Sequence, residues 1–293
     1  MAKNKFEYYD EMKEHLEEGG YTVGEYREIN YGLQFDIVRE DKKSVMRIYE
    51  SKKGLRPDTS QIKDGELLQY ITGESRGKIR DDNGADPAEL IGTDESGKGD
   101  YFGPLVIAGV YVNEENARKL KAMGADDSKR LTDKQIAKLA ESIKKVCPYS
   151  VVVIGNEKYN ELYEKIKNLN KLLAWGHARV IENVLSKVDC KYVLSDQFGD
   201  ENLIKNALME KGKTITLFQR PRAEENTAVA AASILARDEF VSRIKQLEEA
   251  FQMEFPKGAS AMTVEAARKF VETYEREKLS LVSKLHFKTT GQI

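Results

Sequence analysis

The feature that most limits what this chain can fold into runs from Leu90 to Val112. It reads Leu90-Ile91-Gly92-Thr93-Asp94-Glu95-Ser96-Gly97-Lys98-Gly99-Asp100-Tyr101-Phe102-Gly103-Pro104, followed by the apolar run Leu105 to Val112. A short apolar segment delivers two adjacent carboxylates, three glycines follow within a few residues, and the chain then becomes apolar again. The pattern predicts a strand, a tight glycine-rich connection and a second strand. Neighbours in an extended segment point to opposite faces, so Asp94 and Glu95 converge on one ion only where the strand ends or twists. Gly97 and Gly99 supply backbone freedom and let main-chain N–H groups approach a ligand, here beside the cation Lys98. From the residues alone, a solvated acidic pair opening a glycine-rich hairpin is the competing interpretation.

The rest of the chain arranges itself around this stretch. Residues 5–18 carry Phe6, Met12 and Leu16 on one side and predict an amphipathic helix ended by Gly19-Gly20. Three short extended segments follow at about 25–30, 32–39 and 43–50, the last two joined by a turn at Asp41-Lys42, and Gln61 to Tyr70 predicts a further helix. Residues 73–89 contain almost no large apolar side chains and predict a linker, which separates a small α+β unit at 1–72 from a larger domain at 90–293.

Beyond the linker, strands are expected at 90–94, 104–112 and 150–154, at Tyr192 to Ser195 ending on Asp196, and at Thr214 to Phe218. Helices are expected after a cap at Thr132 or Ser128, over 156–187, and over 225–250 with the small-residue run Thr227 to Ala236. A strand meander followed by alternating strand and helix implies a mixed α/β sheet covered by helices.

Hydrolysing a phosphodiester at neutral pH requires an activated water, a stabilised leaving oxyanion and neutralisation of a crowded anion. Two Mg²⁺ ions roughly 4 Å apart provide all three. Hard cations take oxygen ligands, so three or four carboxylates suffice and neither His nor Cys is required. Asp94 and Glu95 are the first two candidates. Asp196 is the third, standing at the end of its strand as Asp94 stands at the end of its own; a turn-forming Asp before Gln197-Phe198-Gly199 is the plainer alternative.

The string from Asp94 to Pro104 resembles the signature of the type 2 ribonucleases H, Asp-Glu-x-Gly-[Arg/Lys]-Gly, and its Ser96-Gly97-Lys98-Gly99 form resembles the ribonuclease HIII branch. Asp127-Ser128-Lys129-Arg130-Leu131 and Asn170-Lys171-Leu172-Leu173-Ala174-Trp175 are similar to two further family segments. The resemblance covers roughly 88–293. It implies a ribonuclease H-like mixed five-stranded sheet with flanking helices, and endonucleolytic cleavage of RNA paired with DNA, with two Mg²⁺ ions as cofactor and Mn²⁺ as a substitute. It also implies the fourth metal carboxylate in Arg222-Ala223-Glu224, favouring Glu224 over Glu225; either Glu is alternatively a helix N-terminal acid. Ser96, Gly97, Lys98 and Gly99 would contact the strand being cut and read its 2′-hydroxyls through the backbone, and Ser128 and Lys129 would contact phosphates. The N-terminal residues resemble the TATA-binding-protein-like extension of that branch, by size, element order and position, which implies a substrate-binding module.

Charge sharpens this only locally. The net charge is −2, so no global basic field announces a polyanion. Lys42, Lys43, Arg47, Lys52, Lys53 and Arg56 nevertheless bring positive charge to an otherwise acidic N-terminal segment. Cys147 and Cys190 stand far apart without a metal-ligand pattern, which suits a reduced cytoplasm. The longest apolar runs fall well short of the roughly 20 residues that span a bilayer. The expectation is a soluble, cytoplasmic, monomeric enzyme. A hybrid-binding protein without turnover, or another nuclease or polynucleotidyl transferase of the same fold, would show a missing carboxylate or a different loop.

Overall fold

Asn4 starts the first ordered element: its side chain accepts hydrogen bonds from the N–H groups of Phe6 and Glu7 and caps α1 (Lys5–Glu18). Gly20, at φ +78°, turns the chain out of that helix in the left-handed region that glycine tolerates. These features belong to a computed structural model that describes residues 4–40, 42–51, 54–62, 64–72, 87–125 and 131–293. The chain divides into two units, Met1–Gly84 and Ala85–Ile293.

In the first unit α1 covers a wholly antiparallel sheet of β1 (Thr22–Val23), β2 (Arg27–Ile29), β3 (Gly32–Arg39), β4 (Lys42–Ser51) and β5 (Gly54–Asp58). Its strand order is β1-β3-β4-β5, with β2 also paired to β3. The period-two pattern of β3 and β4 buries Leu33, Phe35, Ile37, Met46 and Ile48 together with Tyr9 and Leu16 of α1. Tyr9 takes the place expected of Phe6, which is exposed at the surface. The expected turn at Asp41-Lys42 is bounded by the Arg39–Lys42 pair, Asp41 itself lying outside the described residues. Segment 54–58 forms a strand despite Pro57, because β5 is an edge strand where a missing N–H is tolerated. The following helix, α2 (Gly65–Thr72), begins later than expected, after Asp64 accepts a bond from the Leu67 N–H. Residues 73–86 of the expected linker lie outside the described residues.

The second unit is built on β6 (Leu90–Ser96), β7 (Leu105–Val112), β8 (Tyr149–Ile154), β9 (Tyr192–Asp196) and β10 (Thr216–Arg220), in the order β10-β9-β6-β7-β8. β6, β9 and β10 run parallel, and β7 and β8 run antiparallel to their neighbours, giving the expected mixed five-stranded sheet. Between β7 and β8 lie α3 (Glu114–Ala122) and α4 (Asp133–Val146), the latter capped by Thr132; Ser128, the other candidate cap, lies outside the described residues.

The helical stretch expected over 156–187 is two helices, α5 (Asn156–Ile166) and α6 (Leu169–Leu185). Lys167 takes a left-handed conformation at φ 48°, and Asn168 caps the second helix by accepting from Lys171 N–H. After β9 come α7 (Glu201–Ala207), then β10, α8 (Thr227–Phe251), α9 (Ala261–Tyr274) and α10 (Leu279–Val282). α6 packs on one face of the sheet, with Ala178, Val180 and Ile181 buried there, and α8 on the other. The small-residue run does close packing: a Cβ at Gly92 of β6 would overlap the backbone of Ala228 and Val229. Among the described residues no helix is long and apolar enough to cross a membrane.

Candidate active site

Strand β6 continues through Ser96, two residues further than expected, pairing Asp94 with Ala108 and Glu95 with Ile107 of β7. The two carboxylates therefore stay on alternate faces. On the α6 face, Glu95 Oε2 lies 3.1 Å from Nε2 of His177, whose Nδ1 lies 2.9 Å from Thr93 Oγ1 and 3.4 Å from Ser195 Oγ. Thr93 and Glu95 share that face by the strand's period of two, and Ser195 is the register partner of Thr93 across the parallel β6–β9 pair. His177 is fully buried, and Phe198 stacks on its ring at 4.8 Å. The other Glu95 oxygen accepts from Lys98 Nζ at 3.1 Å.

On the α8 face, Asp94 Oδ1 accepts from its neighbour's N–H at 2.8 Å, and the Ser233 hydroxyl of α8 bonds the same carboxyl. Asp196, at the end of β9, accepts from Ala223 N–H at 2.9 Å in the 3-10 turn Ala223–Glu225 that precedes α8. Arg222 enters that turn in a left-handed conformation at φ 57°. Glu224 is partly buried and close enough for its charge to act on Asp196, whereas Glu225 is exposed.

Crowding of like charge shows in the acidities. Burial, then the charges of Glu95 and Asp196, push Asp94 up to about 8 against the bonds from Glu95 N–H and Ser233. Asp196 is raised by burial and by Glu224 and Glu95. Burial acts upward on Glu95 too, but the His177 hydrogen bond and the Lys98 ammonium outweigh it and hold that carboxyl below its ordinary value. Among the described residues no group of three or more His, Cys, Asp or Glu is drawn together tightly enough to hold a metal ion as it stands. The four acids, two on β6, one at the end of β9 and one in the turn after β10, do not form a closed shell.

The glycine loop follows directly. Gly97, at φ +89°, sits against Pro104 O and the Phe240 ring, where a side chain would collide, while Gly99 is exposed. Ser128 and Lys129 lie outside the described residues. The segment after them is anchored by Arg237, which donates to Leu131 O at 3.1 Å and to Asp133 at 2.9 Å.

Residues 91–290 match the Ribonuclease HII family. A ribonuclease HIII of Chlamydia felis is 39% identical over 97% of this chain and 94% of its own length. The chain belongs to the ribonuclease HIII family. Another relative, the ribonuclease HIII of Protochlamydia amoebophila, is 49% identical over 69% of this chain and 67% of its own length. The crystal structure of Bst-RNase HIII in complex with Mn²⁺ superposes with a TM-score of 0.65 at 28% identity, covering 97% of this chain and 94% of that one.

A ribonuclease HIII fold thus carries Asp94, Glu95, Asp196 and Glu224 towards the C-terminal ends of its parallel strands β6, β9 and β10. His177, Ser233, Thr93 and Ser195 were not legible as site residues. His177 lies in an apolar helical run that reads as core, and Ser233 in a run of alanines; only strand register and packing bring them to the carboxylates.

Proposed function

We propose that this chain cleaves the RNA strand of RNA–DNA hybrids internally, with Asp94, Glu95, Asp196 and Glu224 as carboxylate ligands for two Mg²⁺ ions, Mn²⁺ substituting. The observation that carries the reading is the gathering of acids on adjacent parallel strands, Asp94 and Glu95 on β6 and Asp196 on β9 with Glu224 beside it, where burial and like charge raise Asp94 and Asp196. Such crowding is costly without a compensating cation and suits a hard ion that prefers oxygen donors. His177 does not compete as a ligand, since both ring nitrogens already face partners, Glu95 on one side and Thr93 with Ser195 on the other. When bound, divalent ions at such carboxylates supply Lewis acidity, activating water and offsetting charge on the phosphate.

The chain's own residues do the positioning. His177 and Lys98 hold the two oxygens of Glu95, Ser233 holds Asp94, and the Ala223 N–H holds Asp196. The loop of Ser96, Gly97, Lys98 and Gly99 approaches the strand being cut. Backbone contact at glycines allows the 2′-hydroxyl, the local mark of RNA, to be read without side-chain obstruction. Ser128 and Lys129 add phosphate contacts.

The N-terminal unit serves as a substrate-binding module and contributes no ligand. Three of its described basic residues lie on β4 with partners: Arg47 donates to Gln34 at 2.8 Å, Lys43 pairs with Asp36 at 2.8 Å and Lys42 with Asp64 at 3.3 Å. All proposed ligands come from one chain, so a monomer is sufficient. The test is to incubate labelled RNA–DNA hybrid, double-stranded DNA and double-stranded RNA with Mg²⁺ or EDTA. Cleavage confined to the RNA of the hybrid, and only with Mg²⁺, is the expected result. Equal cleavage of double-stranded DNA, or hybrid binding without products, overturns it.

A further inference from the structure

Among the described residues, Lys284 is a fully buried lysine without a carboxylate hydrogen-bonded to its ammonium, and it lies outside the carboxylate cluster. Its Nζ donates to three main-chain carbonyls of the connection between β6 and β7: Asp100 O at 2.8 Å, Gly103 O at 2.6 Å and Phe102 O at 3.4 Å. An ammonium has three protons, and these three acceptors use all of them. The backbone N–H of Lys284 donates to the intervening carbonyl, Tyr101 O, at 2.8 Å. All four consecutive carbonyls from Asp100 to Gly103 are therefore gathered on one residue from the C-terminal segment.

The surroundings reinforce that gathering. Gly103 N–H donates to Val282 O, Phe102 bridges Ser283, and Asn156 donates to Gly103 O at 2.8 Å. On the other side, the Asp100 carboxylate accepts from Gly258 N–H at 2.6 Å, and Tyr101 N–H donates to Gly258 O. Asp100, the acid that acts electrostatically on Lys284, thus has a carboxylate oxygen engaged elsewhere. Burial pushes the Lys284 ammonium down to about 7, with Asp100 acting in the opposite direction.

A buried cation that ends on carbonyls is costly compared with an apolar residue of the same length. A hydrophobic staple between the C-terminal segment and the core would hold the fold without that cost. What the lysine adds is directional: it fixes the peptide planes of Asp100, Phe102 and Gly103, immediately after the stretch Gly97 to Gly99. Gly97 and Gly103 both have positive φ and make the bends of this loop, while the buried Tyr101 and Phe102 rings anchor its middle; the lysine adds the orientation of the carbonyls between them.

We infer that Lys284 is a positioning residue for substrate, acting as an internal cation that sets the backbone of residues 100–103 and so the approach of Gly97, Lys98 and Gly99 to the strand being cut. This rests on the proposed hybrid-cleaving function, with the loop as its substrate contact. A misplaced loop should weaken binding of the scissile strand more than it slows the chemistry at the carboxylates.

The experiment compares wild type, Lys284→Met and Lys284→Gln on a labelled RNA–DNA hybrid with Mg²⁺, reading KM and kcat separately, with thermal melting on the same samples. Methionine keeps length and removes all donors. Glutamine keeps two donors without charge, and provides a second reading should the methionine variant fail to fold. The expected result is a KM raised roughly tenfold to a hundredfold for Lys284→Met and less for Lys284→Gln, with kcat at saturation changed far less. Unchanged KM in folded variants, or lowered melting temperature with wild-type KM, makes Lys284 a structural staple only and overturns the inference. Absence of hybrid cleavage by the wild type is a distinct outcome: it removes the functional reading itself and this inference with it.

Discussion

Glu95 Oε2 stands 3.1 Å from Nε2 of the fully buried His177, and Lys98 Nζ stands 3.1 Å from the other Glu95 oxygen. The ring is held between Glu95 at Nε2 and the Thr93 hydroxyl at Nδ1, which locks both the ring and the carboxylate. Glu95 is thereby kept ionised at a position where burial alone would raise it.

That clamp predicts a defect without loss of a ligand. His177→Ala should lower kcat/KM on hybrid by roughly tenfold to a hundredfold, the usual cost of removing a partner that orients a ligand. His177→Gln, which retains one donor, should lose less. Wild-type kcat/KM in a folded His177→Ala protein would show that Glu95 needs no such support.

Asp94 gives a pH-dependent prediction. Its folded-state acidity lies at about 8 against an ordinary 3.8, so between those values the folded protein retains a proton that the unfolded chain has released. Its contribution to stability is therefore present below the ordinary value and lost as pH rises through about 8. Asp94→Asn removes that loss. In EDTA, calorimetry should give the variant a higher Tm than wild type at pH 8 and above, with the gap closing towards pH 4. A constant Tm difference at every pH would contradict the crowded-carboxylate account.

The fourth acid separates by exposure. Glu224 is partly buried and acts on Asp196, whereas Glu225 is exposed. Glu224→Gln should remove most hybrid cleavage, and Glu225→Gln should leave the rate within a small factor of wild type. The reverse pattern, measured under saturating hybrid, would move the fourth ligand to Glu225.

Removing residues 1–70 should raise KM for hybrid strongly while leaving kcat at saturation much less changed, because the module acts through local concentration. The salt slope of binding should also fall by about 0.9 for every phosphate that the module neutralises in the full chain. Unchanged KM in the truncated, folded protein would remove the binding role, and a collapse of kcat with KM preserved would give that unit a part in the active site.

The chain yields its sheet readily because the strands of the second unit are apolar runs closed by polar residues, as at Leu105–Val112 and Tyr192–Asp196. The acids at their ends are legible for the same reason: a carboxylate that terminates a buried strand is out of keeping with what precedes it. Other features arise only through packing. The break between α5 and α6 rests on Lys167 adopting a left-handed backbone, for which no glycine gives warning. Strand β5 contains Pro57 and is a strand only because it lies at an edge. Lys284 of the C-terminal segment is wholly buried against a loop more than 180 residues earlier, a contact that nothing in its local sequence announces.

The most direct test of the carboxylate centre is single-turnover cleavage of a labelled RNA–DNA hybrid by wild type and Asp94→Asn, with Mg²⁺ or EDTA, alongside binding of the same hybrid. The account predicts Mg²⁺-dependent cleavage by wild type and near-complete loss in the variant. Hybrid affinity should be retained, since backbone contacts elsewhere supply it. Near wild-type cleavage by Asp94→Asn, or full wild-type cleavage in EDTA, would contradict it.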